Sequence, residues 1–289
     1  MRAELGVLGG SGLYRMADLE DIEEVRLTTP FGEPSDAITI GTLQGMRVAF
    51  LPRHGRAHQH SPSRVPARAN FWALKALGVR WVVSVSAVGS LREEIRPLDF
   101  VVPDQVIDRT VRRSRSFFDE EGPVVHVALD EPFCPELREA LVQASIAAGP
   151  RVHECGTYLC IEGPQFSTKA ESRLYRSWGM DIIGMTAMPE VRLAREAELC
   201  FAIVALVTDY DVWHSEEEPV SVTVVLERLQ QNVEAAQRTL RELVPRLRHL
   251  PGRCSCSSAL QYAIVTRPDA IPREIRERYS LLLGKYLPV

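Results

Sequence analysis

Apolar runs that end abruptly in small, polar or acidic residues recur along this chain. Three of them follow one another, and they lead into the segments at 161–172, 179–190 and 201–211. The last segment, FAIVALVTDYD, has no polar residue before Thr208, which predicts a central strand. Because ligands bind beyond the carboxyl ends of strands in an open parallel sheet, the residues after these runs are candidates for one shared site.

The rest of the hydrophobic pattern alternates between strands and helices. Apolar runs and alternation predict strands at 4–14, 37–41, 46–53, 80–90, 99–110 and 155–163. Helical spacing predicts helices at 67–78, 135–148, 167–179, 187–200 and 222–247. The segments at 15–36 and 111–133 are predicted to be loops, and Asn232 is expected to be exposed on its helix. We therefore expect an α/β fold: a single domain over residues 1–289, with a mixed central β-sheet, helices on both faces and a C-terminal helical tail at 250–289.

The residues that follow the three runs combine an aromatic face, a thioether, hydroxyls and two carboxylates. Ordinary strand ends with solvated acids would explain any one run, but not all three together. The combination suits a purine nucleoside better than a metal ion or a peptide, since a carboxylic acid can hold a heterocycle nitrogen and protonate it. The candidates are Phe166, Ser167, Met185, Thr186, Asp209 and Asp211.

Hydroxyls, backbone amides and two basic side chains follow other predicted strands. A Gly-rich turn after the first strand frees N–H groups that hold anions, and Arg53 and His54 supply a guanidinium fork and an imidazole. These groups predict a phosphate site that contains no metal ion. Phosphate beside a nucleoside suggests phosphorolysis, in which phosphate attacks C1′ of the ribose and the base departs. The candidate phosphate ligands are Gly10, Ser11, Arg53, His54, Ser86, Ala87 and Thr186.

Composition excludes other classes of protein. The chain has 289 residues, a formal net charge of -4 and a pI of about 6.0, whereas a nucleic-acid-binding protein would show a basic stripe and a high pI. No apolar run reaches the ~18 residues that a membrane span needs, and no secretory signal pattern follows Met1. We therefore expect a cytoplasmic protein that binds neither nucleic acid nor membranes.

The six cysteines suggest buried, reduced thiols, as in most long intracellular chains. Cys254 and Cys256 form a CxC motif, but no His and no second Cys pair lies at zinc-finger spacing. The sequence therefore does not predict a structural zinc, and we expect neither a metal nor an organic cofactor.

Short segments distributed along most of the chain resemble those of a known family. They are GGSGLY, TPFGEPSD, RHGR, GSLREEI, PFCP, IEGPQFST, GMTAMPE and TDYD. These segments resemble, in unchanged order, those of the 5′-methylthioadenosine phosphorylases, in the trimer-forming branch of the purine nucleoside phosphorylase family, and the resemblance runs from about Leu5 to Leu243. The resemblance implies phosphorolysis of 5′-methylthioadenosine to adenine and 5-methylthioribose 1-phosphate. It also implies inorganic phosphate as co-substrate, no cofactor, and a homo-oligomer, either a trimer or a hexamer.

The resemblance also implies roles for individual residues. Asp209 would be the catalytic proton donor and would hold N7 of the purine, while Asp211 would hold the 6-amino group. Phe166 would stack near the purine, Ser167 would contact it, and Met185 would support the ribose. The implied phosphate ligands are Ser11, Arg53, His54, Ser86, Ala87 and Thr186. The implied methylthio pocket consists of Val222 and Val225, together with His126 from a neighbouring subunit.

The sequence leaves open the roles of Gly184 and of the cysteines. It also leaves open two alternative functions. Gly184 stands where animal relatives have Asn, which affects the expected contacts to ribose or purine. Thermophilic archaeal relatives with the same PFCP segment and CSC tail use these cysteines in disulfides, so Cys134 and Cys200 are expected to lie close together. A phosphorylase that prefers 6-oxopurine nucleosides or 5′-methylthioinosine is the nearest alternative. A nucleoside sensor without catalysis is the more distant one, because a pure nucleoside binder needs no phosphate ligands.

Overall fold

The computed structural model describes residues 2–14, 16–120, 122–215 and 221–288, with all their side chains except those of Ser11, Tyr14 and Val224. Within these ranges, the strands join into one mixed sheet. This agrees with the fold class that the sequence predicts.

Two long parallel strands form the centre of the sheet. β5 (Trp81–Ser90) and β11 (Cys200–Asp209) pair from Cys200 opposite Trp81 up to the carboxyl ends, and every residue of β11 is buried. Their side chains alternate between two hydrophobic cores, so that Phe201 and Ile203 face one core while Ala202 and Val204 face the other. This two-sided burial explains why β11 is apolar throughout its length.

The remaining strands extend the sheet on both sides of this pair. These strands are β1 Leu5–Gly9, β2 Glu20–Val25, β3 Ile38–Leu43, β4 Met46–Pro52, β6 Phe100–Val101, β7 Gln105–Arg109, β8 Val152–His153, β9 Thr157–Ile161 and β10 Ile182–Gly184. The strand order is β2, β3, β4, β1, β5, β10, β9 and β7, while β6 pairs with β11, and β8 pairs with β6.

Helices cover both faces of the sheet. α1 (Ala67–Ala76) and α4 (Ala187–Glu196) contribute to one core, and α2 (Pro135–Ala147) and α5 (Val222–Leu247) contribute to the other. α3 (Lys169–Ser177) begins with a complete capping box between Thr168 and Glu171. Two short helices, α6 (Arg273–Arg278) and α7 (Ser280–Leu283), lie in the C-terminal tail. Within the described ranges, none of the helices combines the length and the apolar character that a membrane crossing requires.

Four details differ from the sequence prediction. The predicted loop at 15–36 contains strand β2, whose acidic side chains are exposed at the edge of the sheet. The predicted strand at 99–110 is divided into β6 and β7 around Pro103, and β8 was not predicted. Asn232 is buried rather than exposed, because its Nδ2 donates to the carbonyl oxygen of Val207 at 3.3 Å.

The described residues of 111–133 form a loop, as predicted, and two aromatic residues of this loop are Phe117 and Phe118. Both side chains are buried within this chain, where Phe117 packs against Phe31 and Phe118 packs against Tyr279 of the tail. Their hydrophobicity therefore serves the chain's own core.

Candidate active site

A cavity of about 490 Å³ opens at the carboxyl ends of the central strands. It brings together nearly all the residues that the sequence nominated, from seven separate segments of the chain. The predicted residues that line it are Gly10, Arg53, His54, Ser86, Ala87, Phe166, Ser167, Met185, Thr186, Asp209, Asp211, Val222 and Val225. The side chain of Ser11 lies outside the described part of the structure, and the predicted role of this residue stays a prediction.

One end of the cavity, which we call the carboxylate end, consists of Phe166, Ser167, Asp209 and Asp211. Asp209 is buried, and its carboxylate accepts hydrogen bonds from Thr208 Oγ1 at 2.7 Å and from the amide of Asp211 at 2.8 Å. Burial raises the pKa of Asp209 to about 6, against the opposing effect of these hydrogen bonds, and the nearby charge of Asp211 adds to the rise. Asp209 is therefore poised to carry a proton close to neutral pH.

Asp211 and Ser167 carry polar atoms that the protein leaves without partners. Oδ2 of Asp211 and Oγ of Ser167 are both buried and make no hydrogen bond. Burial raises the pKa of Asp211, while the nearby hydroxyls of Ser172 and Ser167 lower it without completing a hydrogen bond. A buried acceptor without a partner costs roughly 1–3 kcal/mol, so these atoms are placed to gain hydrogen bonds from a ligand.

The position of Asp209 depends on Gly89 of β5. The pairing of β5 and β11 shifts register between Val207 and Asp209, which turns the acid towards the end of β5. A Cβ atom on Gly89 would lie 2.8 Å from Oδ1 of Asp209, a distance too short for ordinary contact. A glycine at position 89 therefore leaves the space that the carboxylate of Asp209 occupies.

The other end, which we call the hydroxyl end, consists of Arg53, His54, Ser86 and Thr186. Arg53 is buried, and its Nε donates to Glu190 Oε1 of α4 at 2.5 Å. Its Nη2 donates to Ser84 Oγ at 2.5 Å, and its Nη1 donates to the carbonyl oxygen of Val85 at 3.2 Å. The positive charge of Arg53 is thus balanced inside the protein, and Glu190 and Ser84 are functional candidates that the sequence reasoning missed.

His54, the second basic side chain of the predicted anion site, is neutral near pH 7. Burial and the neighbouring Arg53 lower its pKa to about 4. Its Nδ1 lies 2.8 Å from the carbonyl oxygen of His60 and, in the neutral ring, donates its hydrogen there. Nε2 is therefore an acceptor, which suits the hydroxyl group of a hydrogen phosphate.

The hydroxyls of Ser86 and Thr186 lie together although 100 residues separate them in sequence. Their oxygen atoms are 2.9 Å apart, because β5 carries Ser86 to the end of the sheet where Thr186 precedes α4. Ala87 contributes backbone to the same wall. Adjacent hydroxyls and backbone groups of this kind bind oxyanions through hydrogen bonds rather than through net charge.

Arg113 holds the wall between the two ends, and the sequence analysis did not single it out. Its Nη1 donates to the carbonyl oxygens of Met185 and Met188, and its Nη2 donates to those of Ile161 and Glu162. Its Nε completes the set with a bond of 3.1 Å to the Glu162 carboxylate. All five N–H groups of the buried guanidinium therefore fix the ends of β9 and β10 relative to each other.

One face of α5 forms the apolar wall. Besides the predicted Val222 and Val225, the helix contributes residues that recur at helical spacing, namely Leu226, Leu229 and Val233. Leu226 is 57% exposed and Val222 is 64% exposed, which is unusual for large aliphatic side chains unless they await a partner. The helical spacing of 222–247 indicates an apolar face, and the N-terminal part of this face lines the cavity.

Known phosphorylases are similar to this chain in both sequence and fold. The family model described as Phosphorylase superfamily matches residues 4–245. The chain belongs to the phosphorylase superfamily.

Within this family, the chain is similar to S-methyl-5′-thioadenosine phosphorylase from Gloeobacter violaceus, with 53% identity over 289 residues that cover 99% of this chain and 96% of the relative. A crystal structure of methylthioadenosine phosphorylase from an Antarctic soil metagenomic library matches with a TM-score of 0.92 and 47% identity, covering 98% and 99% of the two chains. Methylthioadenosine phosphorylase from Schistosoma mansoni in complex with adenine matches with a TM-score of 0.82 and 35% identity, covering 98% of each chain.

The structure also describes the surroundings of His126 and Gly184, which the resemblance singled out. His126 is exposed and does not line the cavity; its amide donates to the carbonyl oxygen of Ala263 in the tail at 2.8 Å. Gly184 leaves room for Tyr158, whose hydroxyl would lie 2.0 Å from a Cβ atom at position 184. A larger residue at position 184 would require Tyr158 to move, so the two positions are coupled.

Proposed function

We propose that this phosphorylase cleaves S-methyl-5′-thioadenosine with inorganic phosphate, giving adenine and 5-methylthioribose 1-phosphate. In the proposed reaction, a phosphate oxygen forms a bond to C1′ of the ribose while the bond from C1′ to N9 of the purine breaks. The electron pair of that bond passes to the purine, and Asp209 transfers its proton to N7. No oxidant, reductant or metal ion enters this balance.

The observation that carries the proposal is the set of unsatisfied groups at the carboxylate end. Oδ2 of Asp211 is a buried acceptor without a partner, and Asp209 beside it has a raised pKa. A 6-aminopurine supplies a donor for Asp211 and an acceptor for the proton of Asp209. The partly exposed ring of Phe166 is placed to cover the flat face of the same base.

The hydroxyl end supports phosphate as the nucleophile. Ser86 and Thr186 present adjacent hydroxyls, the turn at Gly10 presents backbone, and neutral His54 accepts through Nε2. A hydrogen phosphate dianion donates its one O–H to His54 and accepts from the hydroxyls. Met185 lies between the two ends of the cavity, and the ribose would bind there.

A turnover assay with four nucleosides tests this proposal. We expect phosphate-dependent release of base from S-methyl-5′-thioadenosine, weaker release from adenosine, and little from inosine or 5′-methylthioinosine. The Asp211→Asn variant should lose part of this preference, since an amide can also donate to a 6-oxo group. Equal turnover without phosphate, or a preference of the wild type for the 6-oxo substrates, would contradict the proposed substrate.

We further propose that the enzyme is a homo-oligomer, a trimer or a hexamer, in which His126 of one subunit reaches the cavity of the next. The exposure of His126 and of the apolar residues of α5 at the cavity mouth supports this arrangement. Light scattering at assay concentration measures it, and an active monomer would rule it out. A cytoplasmic location and a single domain over residues 1–289 remain part of the proposal.

A further inference from the structure

Four cysteines from distant parts of the chain meet beneath the C-terminal tail. Cys134 immediately precedes α2, Cys200 is the first residue of β11, and Cys254 and Cys256 follow α5. Their Sγ atoms all lie within 4.8 Å of one another. The expected proximity of Cys134 and Cys200 is thus confirmed, and the CxC motif joins them in one cluster, which we call the four-cysteine cluster.

The geometry of this cluster points to a metal site. In a tetrahedral zinc site each Zn–S bond is about 2.3 Å, which places the sulfur atoms about 3.8 Å apart. The sulfur atoms of Cys200 and Cys254 are 3.5 Å apart, and none of the four cysteines forms a disulfide in this structure. We propose that the four-cysteine cluster binds one Zn²⁺ ion through four thiolates.

The surroundings favour thiolates at this place. Nη1 of Arg195 donates to Sγ of Cys256 at 3.7 Å. A zinc ion with four thiolates carries a net charge of two minus, which this guanidinium would partly offset.

The proposed zinc has a structural role, because none of the four cysteines lines the cavity. It would tie the segment after α5 to the start of β11 and to the start of α2. On binding, the thiols release their protons and no redox step occurs. Three of the ligands are buried and Cys254 is partly exposed, which leaves a route for the ion to enter.

The alternative to zinc binding is that the same four sulfur atoms form two disulfides. They would need an oxidant and would bring paired sulfur atoms to about 2.05 Å. In this structure the sulfur atoms of Cys200 and Cys254 are instead 3.5 Å apart, and all four sulfur atoms lie within 4.8 Å of one another. Intact mass distinguishes the two cases, because two disulfides remove four hydrogen atoms whereas zinc leaves the denatured chain fully reduced.

The test measures metal content in the full chain, expressed with zinc and purified without oxidation. We expect one zinc per chain by elemental mass spectrometry in the wild type and in the Cys155→Ser control, whose cysteine is exposed and outside the cluster. The Cys256→Ser variant should lose the metal. Cobalt added to metal-free wild type should give the visible bands of a tetrahedral cobalt thiolate.

If Cys256→Ser fails to fold, a measurement on the wild type still tests for the zinc site. A thiol-directed mercurial should release one zinc per chain as it titrates the cluster. Zinc-free protein in which all four thiols of the four-cysteine cluster can be titrated would overturn the proposal. A mass lower by four hydrogen atoms would also overturn it. Retention of zinc by Cys256→Ser would equally overturn it.

Discussion

The two ends of the cavity are built in opposite ways. At the hydroxyl end, the charge of Arg53 is balanced by Glu190 and its donors are occupied by protein acceptors. At the carboxylate end, the protein leaves Oδ2 of Asp211 and Oγ of Ser167 without hydrogen bonds and keeps Asp209 partly protonated. The Arg53–Glu190 pair at the hydroxyl end is completed by folding, whereas the carboxylate end is completed by the ligand. Substitutions in this pair should therefore act mainly on stability, and substitutions at the carboxylate end should act mainly on turnover.

The largest effect is expected for Asp209→Asn. The variant keeps the shape of the side chain but cannot supply a proton to the departing base, and loss of a general acid typically costs about 10²–10⁴-fold in rate. Steady-state kinetics with S-methyl-5′-thioadenosine should show the loss in kcat, with little change in the KM for phosphate. If Asp209→Asn kept wild-type turnover, the proton would come from another donor.

Glu190→Gln should have the opposite profile. Glu190 and Arg53 are each about 4% exposed, and loss of one partner of a buried ion pair costs roughly 3–5 kcal/mol because the other charge stays unbalanced. Urea unfolding measures this cost. The matched control is Glu277→Gln, which removes an exposed pair with Arg273 and should cost only about 0.3–0.5 kcal/mol. If both variants lost the same small amount, Arg53 would not depend on Glu190.

The raised pKa of Asp209 predicts a pH-dependent cost in stability. Its pKa is about 6 in the folded chain and 3.8 as the ordinary value, so the folded state binds more protons between these two values. Stability therefore falls as the pH rises through this range and stays lower above it. A difference of about two units corresponds to on the order of 3 kcal/mol.

Asp209→Asn should remove this cost. The variant should be more stable than the wild type at pH 8, and the difference should vanish near pH 4, in unfolding experiments at both pH values. A difference that does not change with pH would mean that Asp209 titrates at its ordinary pKa.

The smallest expected effect concerns the wall between the two ends. Arg113→Lys replaces a five-donor fork with a point charge, so several of the carbonyls at the ends of β9 and β10 lose their donor. We expect the KM for the nucleoside to rise about tenfold, the equivalent of ~1.4 kcal/mol, while the KM for phosphate changes less. Arg112→Lys, on the same loop but exposed, is the control and should behave as wild type.

Much of this architecture follows from the sequence alone. The apolar run at 201–211 determines that β11 is central, because only burial on both faces suits a strand without polar residues. Phe166, Met185 and Asp209 were expected in one site from the same pattern, since the strands they follow end at one edge of the sheet. The capping box at Thr168 is likewise encoded within four consecutive residues.

Other features depend on neighbours that the sequence pattern does not reveal. β2 is rich in acidic residues and has little intrinsic strand preference, yet it pairs with β3 at the edge of the sheet, where water solvates its charges. Asn232 is polar and lies on a helix face, yet its amide meets a backbone carbonyl beside the register shift of β11. In both cases the tertiary environment overrides the local preference.

The networks around the site are decided by tertiary structure. Arg53 and Glu190 are 137 residues apart, and Arg113 reaches carbonyls on two other segments. Zinc-finger spacing concerns cysteines that are close in sequence. The fold brings Cys134 and Cys200, which are distant in sequence, to the CxC motif. Local patterns determine which backbone forms and which face is buried, because those choices rest on nearby residues. Long-range pairing of buried polar groups depends on how the elements dock, and that is fixed only when the whole core packs.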